Sequence, residues 1–270
     1  MKKNNALLLS TPYILWMLAF TLIPLGVVGY YALTDPNTGA FTFSNLTQLQ
    51  LYLPVLWQSI WYSLVSAFFC LLLGYPVAYY IAHQGPVLQK ILYMLVMLPM
   101  CMSFLLRTLA WVGLIQDTGI INNLLRLIGL GPIRMIRTPG AVILGMVYNY
   151  LPYMILPLYA VIVKIDHRLI EAAEDLGCTP IAVFSRVVLP LSVPGIISGI
   201  TLVFLPAVSS FVIPKLLGGG DYVLIGNLIE IYFLQAGDWN FGSAISLIMA
   251  LIIIASMWLT RKLDRNAQEE

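Results

Sequence analysis

Charge is what this sequence has least of. Of its 270 residues only 10% are Asp, Glu, Lys or Arg, against roughly a quarter in soluble domains, while 60% are hydrophobic. No single soluble core can hide that much apolar surface, which excludes an ordinary globular domain. Cysteine is nearly as scarce: Cys70, Cys101 and Cys178 are odd in number and show neither metal-ligand spacing nor a disulfide framework. Histidine occurs twice, as His83 and His167 in polar connectors, where solvation is a plainer fate than catalysis. The GK[ST] phosphate loop, the HExxH pair and the GxSxG elbow are all absent, so no enzyme site, cofactor or metal is expected in this chain. No repeat, low-complexity tract or second domain stands out, and the chain reads as one domain over residues 1–270. The net charge of +2 decides little about partners, and no nucleic acid is expected among them.

What is present is apolar sequence in blocks. Six blocks, near 12–33, 56–81, 91–115, 141–163, 188–212 and 241–259, reach the length of about 20 residues that a bilayer requires. Backbone inside lipid must satisfy its own hydrogen bonds, and the ten-residue alternation of porin strands is missing. The expected fold is therefore an all-α polytopic membrane protein with six transmembrane helices. Lys2 and Lys3 precede the run from Ala6 to Leu33, but that run far exceeds the core of a secretory leader and lacks a convincing cleavage site. It is taken as a span. With the N-terminus inside, nine basic residues (Lys2, Lys3, Lys90, Lys164, Arg168, Arg186, Arg261, Lys262, Arg265) face the cytoplasm and four (Arg126, Arg134, Arg137, Lys215) face out. That balance puts both termini in the cytoplasm, although the three arginines of one outer loop run against it.

The connectors carry local signals of their own. Asp35-Pro36-Asn37 marks a turn in the first outer loop. Ile120 to Leu130 has helical apolar spacing, suited to a short helix along the membrane surface. Gly218-Gly219-Gly220 makes a flexible turn, and Leu224 to Glu230 comes next as a helix packed at the outer mouth. The tail after Leu263 is short, charged and solvated. Prolines at 24, 76, 99, 152, 157, 194 and 206 lie within the apolar blocks, and together argue for bent helices around a pathway.

The most informative stretch is EAAEDLGCTPIAVFSRVVLPLSVPGI, from Glu171 to Ile196. Leu169, Ala173 and Leu176 share one helical face, and Glu171, Glu174 and Asp175 share another. Gly177 stands where a left-handed C-terminal stop belongs. Thr179 and Pro180 read as N-cap and first residue of a second helix, and Pro190 and Pro194 bend that helix or restart it. This stretch resembles the EAA loop of ATP-binding-cassette importer permeases: Glu171-Ala172-Ala173, Gly177 and Leu189-Pro190 stand in matching places, with Val187 in an isoleucine position. The resemblance implies a type I importer permease (MetI-like) fold, with the coupling loop at about 164–187 in the cytosol. Glu171, Ala172, Ala173 and Gly177 would then dock into a separate ATPase, which would bind ATP and Mg. The plainer reading is an amphipathic cytosolic connector.

Further candidates lie in and around the spans. Tyr148, Asn149, Tyr150 and Tyr153 flank Pro152 and form a candidate substrate surface, because aromatic faces attract organic cations; an interfacial aromatic belt is the alternative. Ser209, Ser210 and Phe211 after Pro206 are a weaker candidate of the same kind. Asp117, Asp221, Glu230 and Asp238 fall on the outer side, to draw amines to the mouth or to meet a binding protein, or simply as solvated acids. Arg107, deep in the third block, either faces the pathway or another subunit or, the favoured reading, snorkels to the outer interface.

The segments LLLGYPVAYYIA (71–82), LPLYAVIVKIDHRLIEAAEDLG (156–177) and LIGNLIEIYFLQAGDWNFGSAIS (224–246) are similar to the PotB-type permeases of spermidine/putrescine importers. That resemblance implies a bacterial inner-membrane assembly of this permease, a second related permease, two ATP-binding subunits and an extracytoplasmic binding protein. Few acids lie within the spans, so the second permease is expected to supply counter-charges. Permeases for iron, thiosulfate or phosphonate share the loop, and a membrane scaffold or an integral membrane enzyme is the reading outside transport.

Overall fold

The computed structural model describes residues 11–36 and 38–269, with side chains to Lys262. Lys2, Lys3, Asn37 and the side chain of Arg265 lie outside the described residues. Among those described there is no strand, only an isolated bridge between Thr34 and Phe41. Helices Thr11–Ala32 (α1), Leu53–Ala82 (α2), Pro139–Ile162 (α6) and the Trp239–Lys262 part of the last helix are each long and apolar enough to cross a membrane.

Two of the six expected blocks are broken. The third is split into Pro86–Met97 (α3) and Phe104–Ile115 (α4). Between them a tight turn at Leu98–Cys101 contains Pro99, and Met102 is extended (ψ 150°). Proline cannot donate the hydrogen bond that would carry the helix through. The fifth is split into Pro180–Leu191 (α8) and Val193–Val208 (α9), which meet at 64° about Ser192. Pro190 and Pro194 flank that bend, as their lost N–H groups require. Short helices complete the set: Ile120–Leu127 (α5), His167–Asp175 (α7), Val212–Leu217 (α10) and Ile225–Glu230 (α11), before Trp239–Glu269 (α12). Pro24 comes just after a wide, π-type turn at Leu18–Leu22, which absorbs the register that proline disturbs.

The contacts form two compact units, each taken by itself. The larger holds residues 55–227 with the chain from Ile253 onward. Its centre is α6, which is buried along most of its length from Ala141 to Ile162 and leaves Leu144 and Tyr148 exposed, as befits a helix that is apolar on nearly every face. Glycines let neighbouring helices approach it. A Cβ on Gly199 of α9 would lie 2.5 Å from the Met154 sulfur, and one on Gly74 of α2 would lie 3.1 Å from Met154 Cγ. Gly195, Gly199, Val203 and Ala207 are among the buried positions of α9, and its two glycines meet Pro157, Val161 and Met154 of α6. In the smaller unit, residues 11–54 with 228–252, Asn240 Nδ2 donates to the carbonyls of Thr34 (2.7 Å) and Tyr31 (3.0 Å).

Candidate functional site

The segment from Asp166 to Ala182 is built from local signals that satisfy one another. Asp166 caps α7, its carboxylate accepting from Arg168 N at 3.0 Å. At the other end Gly177 N donates to Glu174 O (2.8 Å) and Cys178 N donates to Ala173 O (3.1 Å). Gly177 has φ +82°, so the pair of bonds is a Schellman stop, which needs a residue free of Cβ strain. Thr179 then caps the next helix, accepting from Ala182 N at 3.4 Å, with Pro180 at its first position. The expected helix, turn, helix is present.

No residue of α7 is buried. Leu176 is 86% exposed, Ile181 81% and Leu169 49%, although each such side chain gains about 1.5–3 kcal/mol when fully buried. Glu171 meets only His167, at 3.3 Å, with both side chains exposed. An ion pair so open to water contributes little, and the second carboxylate oxygen is left for another partner. Leu169, Leu176 and Ile181 thus form an exposed apolar surface that no described residue covers.

The turn is tied to the spans by contacts that a linear reading misses. Tyr75 of α2 exchanges a 2.7 Å hydrogen bond with Ser192, the residue at the 64° bend. Phe184 of α8 packs edge-on against Tyr75 (5.4 Å) and Tyr79 (5.8 Å). A push on α7 and α8 therefore reaches both α2 and the start of α9. Ala82, His83, Gln84, Ile162, His167 and Val188 are among the residues that line a cleft of about 310 Å³ beside α7. The sequence signal for these contacts was only aromatic residues at helical spacing, which fits a core equally well.

The pathway candidates do not form one surface. Tyr148 is exposed and edge-on to Trp111 of α4 (5.3 Å), whereas Asn149 and Tyr150 are buried. Asn149 Nδ2 donates to Gly145 O (2.9 Å), and the Tyr150 hydroxyl donates to Pro206 O (3.2 Å). Tyr153 is half-buried beside Tyr150, at 6.3 Å between ring centres. Ser209 bonds back to Leu205 O, Ser210 is buried and Phe211 is exposed, all in the break between α9 and α10. Tyr150, Ser210 and Arg107 are thereby neighbours. Arg107 departs from the favoured snorkelling reading: it is 6% exposed, and its Nε and Nη1 find no partner among the described residues. Tyr150 of α6 lies beside it.

Of the outer acids, Asp117, Asp221 and Asp238 are exposed and Glu230 is half-buried. Asp238 caps α12, accepting from Phe241 N at 3.0 Å. Next to it the Tyr232 hydroxyl is pushed up to about 12, first by its hydrogen bond with Tyr52, then by burial and the nearby acid. The two tyrosine oxygens lie 2.6 Å apart.

Comparison with known proteins places this geometry. Residues 71–269 match the family model described as binding-protein-dependent transport system inner membrane component. The spermidine/putrescine transport system permease protein PotB of Haemophilus influenzae is 40% identical over 94% of both chains. That of Escherichia coli is 37% identical over 94% of this chain and 98% of its own. The fold is shared with a bacterial ABC transporter involved in the import of the acidic polysaccharide alginate (TM-score 0.82, 20% identity, 98% and 96% covered). It is shared also with the MetNI methionine ABC transporter (TM-score 0.60, 18% identity, 82% and 98% covered).

Proposed function

The chain belongs to the family of binding-protein-dependent transport system inner membrane components, and from that premise we propose that it is the permease half of an ATP-driven polyamine importer. The observation that carries the substrate is near-full-length similarity, at 37–40% identity, to permeases named for spermidine and putrescine. The permease lies in the bacterial inner membrane with both termini in the cytoplasm. A second related permease completes the pathway, a pair of ATP-binding subunits docks from the cytosol, and an extracytoplasmic binding protein delivers the solute.

In this mechanism closure of the ATPases on ATP moves α7. Leu169 of α7, Leu176 at its end and Ile181 of α8, all exposed, sit in a groove of the ATPase, with Glu171 making a polar contact at the rim. The rigid Schellman turn and the Thr179 cap pass the movement to α8, and the Tyr75–Ser192 bond and the Phe184 contacts pass it to α2 and α9. The two halves of the pathway then alternate between inward and outward access. Half-buried Tyr153 supplies an aromatic face near the route, with buried Tyr150 and Ser210 behind it, while Asn149 serves the packing of α6.

Helices α1 to α4, α6, α8 and α9 contain no acidic residue, so the carboxylates that compensate a polyamine's charges come from the second permease. An anionic substrate would require arginines lining an open route, and Arg107 is enclosed instead. The test is uptake of labelled spermidine into proteoliposomes holding the complete assembly. Saturable, ATP-dependent uptake that unlabelled putrescine competes supports the reading; ATP-driven uptake of an anion with none of spermidine refutes it.

A further inference from the structure

Where the end of α1 meets the start of α12, a pocket of about 460 Å³ opens within the smaller unit. Tyr31 and Pro36 form one wall, and Asp238 and Trp239 the other. The two rings stand 6.4 Å apart at 50°, and Phe233 braces Trp239 edge-on at 5.5 Å. Both pocket aromatics keep exposed faces, 36% for Tyr31 and 56% for Trp239.

The pocket is rigid where it needs to be. Gly237, at φ +68°, makes the turn that delivers Asp238 and Trp239 to the wall. Asn240 lines the floor and is fixed by its bonds to Tyr31 O and Thr34 O. Asp238 Oδ1 is held by Phe241 N, while Oδ2 has no hydrogen bond among the described residues. Among the described residues no Lys or Arg lines the pocket. A fixed carboxylate with one open oxygen beside two aromatic faces attracts a cation by charge and by ring quadrupole at once. A compact ammonium with N–H donors satisfies both.

We propose that this pocket binds a primary ammonium group. An interfacial aromatic belt would explain Tyr31 and Trp239, but not a carboxylate that lines the same pocket with one oxygen unbonded among the described residues. The group comes either from a free alkylamine or from the ethanolamine headgroup of a phospholipid. The chemistry of the pocket does not depend on what the assembly imports, so it stands or falls apart from the polyamine reading.

The test uses the full chain in nanodiscs. Saturation-transfer NMR tracks n-butylamine, with n-butanol as the neutral control, in phosphatidylcholine discs. Native mass spectrometry then reads phosphatidylethanolamine retention from discs of mixed phosphatidylcholine and phosphatidylethanolamine. The variants are D238N and W239L. Asparagine caps helices as well as aspartate does, so D238N removes the charge and keeps the α12 start. Saturable butylamine binding, absent for butanol and weakened roughly 2- to 30-fold in each variant, identifies a free-amine site. Preferential phosphatidylethanolamine retention that both variants lose identifies a headgroup site. If neither butylamine binding nor lipid preference differs between wild type and D238N, the proposal is overturned, whatever W239L does.

Discussion

Gly177 offers a perturbation whose size can be worked from its surroundings. The residue sits at φ +82°, and a Cβ built on it would have no atom within 4 Å. A side chain there meets no steric obstacle, so its entire cost is left-handed backbone strain, about 1–2 kcal/mol for an ordinary L-residue and less for asparagine. The strain falls on a turn with no buried neighbour in α7, so the spans keep their stability. It acts instead on the fraction of molecules whose α7 is correctly set for docking. At about 1.4 kcal/mol per factor of ten, Gly177→Ala lowers the ratio of correctly set to unset α7 roughly 5- to 30-fold. Gly177→Asn costs little, and Gly177→Val costs more than alanine because a β-branched residue tolerates that region poorly. Quantitative pull-down of the ATPase, with ATP-dependent uptake at matched membrane levels, should rank wild type and Asn above Ala, and Ala above Val. Equal docking and uptake across the series, with thermal stability unchanged, would refute the role given to the turn.

Four further outcomes rest on particular residues. Glu171→Lys should leave the melting temperature unchanged, since the side chain is exposed and meets only His167, yet uncouple ATP hydrolysis from uptake; normal transport by this variant removes the polar contact from the docking scheme. Thr179→Ala should cost about 1 kcal/mol at the α8 start, read as faster amide exchange at Ala182 without loss of the spans. Gly199→Leu forces a side chain against Met154, 2.5 Å from the position of its first carbon, and should destabilise the α6–α9 contact by about 1–3 kcal/mol or more. Gly113→Ala, where nothing lies within 4 Å, is its neutral control in a detergent melting assay. Arg107→Met should hold or raise the melting temperature, because an apolar side chain of similar length replaces a buried guanidinium whose Nε and Nη1 lack partners; a marked fall would reveal an acceptor for that charge.

Local chemistry was readable in the sequence wherever one residue type dictates one conformation. The Gly177 stop, the Thr179–Pro180 start, the bend between Pro190 and Pro194 and the short helix from Ile120 all stand where residue preferences put them. Hydropathy gave the spans but not their breaks: Leu98–Ser103 is apolar almost throughout, and lipid-like composition hides a loss of helical geometry. Side-chain direction was the other blind spot. Tyr148, Asn149 and Tyr150 are consecutive, but at 100° per residue they cannot share a surface, and which one faces the core depends on where α4 and α9 pack. The same holds for Arg107, whose burial depends on Tyr150 and Phe104 from two helices. The link from Ser192 to Tyr75 spans 117 positions and carries no sequence signal at all.

The central claim is that α7 is the handle by which a separate ATPase works the membrane helices. It is tested most directly by placing one cysteine at the exposed Ala172, with Cys70, Cys101 and Cys178 replaced, and crosslinking the assembled transporter with a short bifunctional thiol reagent. The account predicts a single major adduct between this chain and the nucleotide-hydrolysing subunit, whose yield changes when ATP is bound. An A172C variant that is labelled freely by a soluble maleimide in the intact, ATP-hydrolysing assembly, and that yields no such adduct, would contradict it.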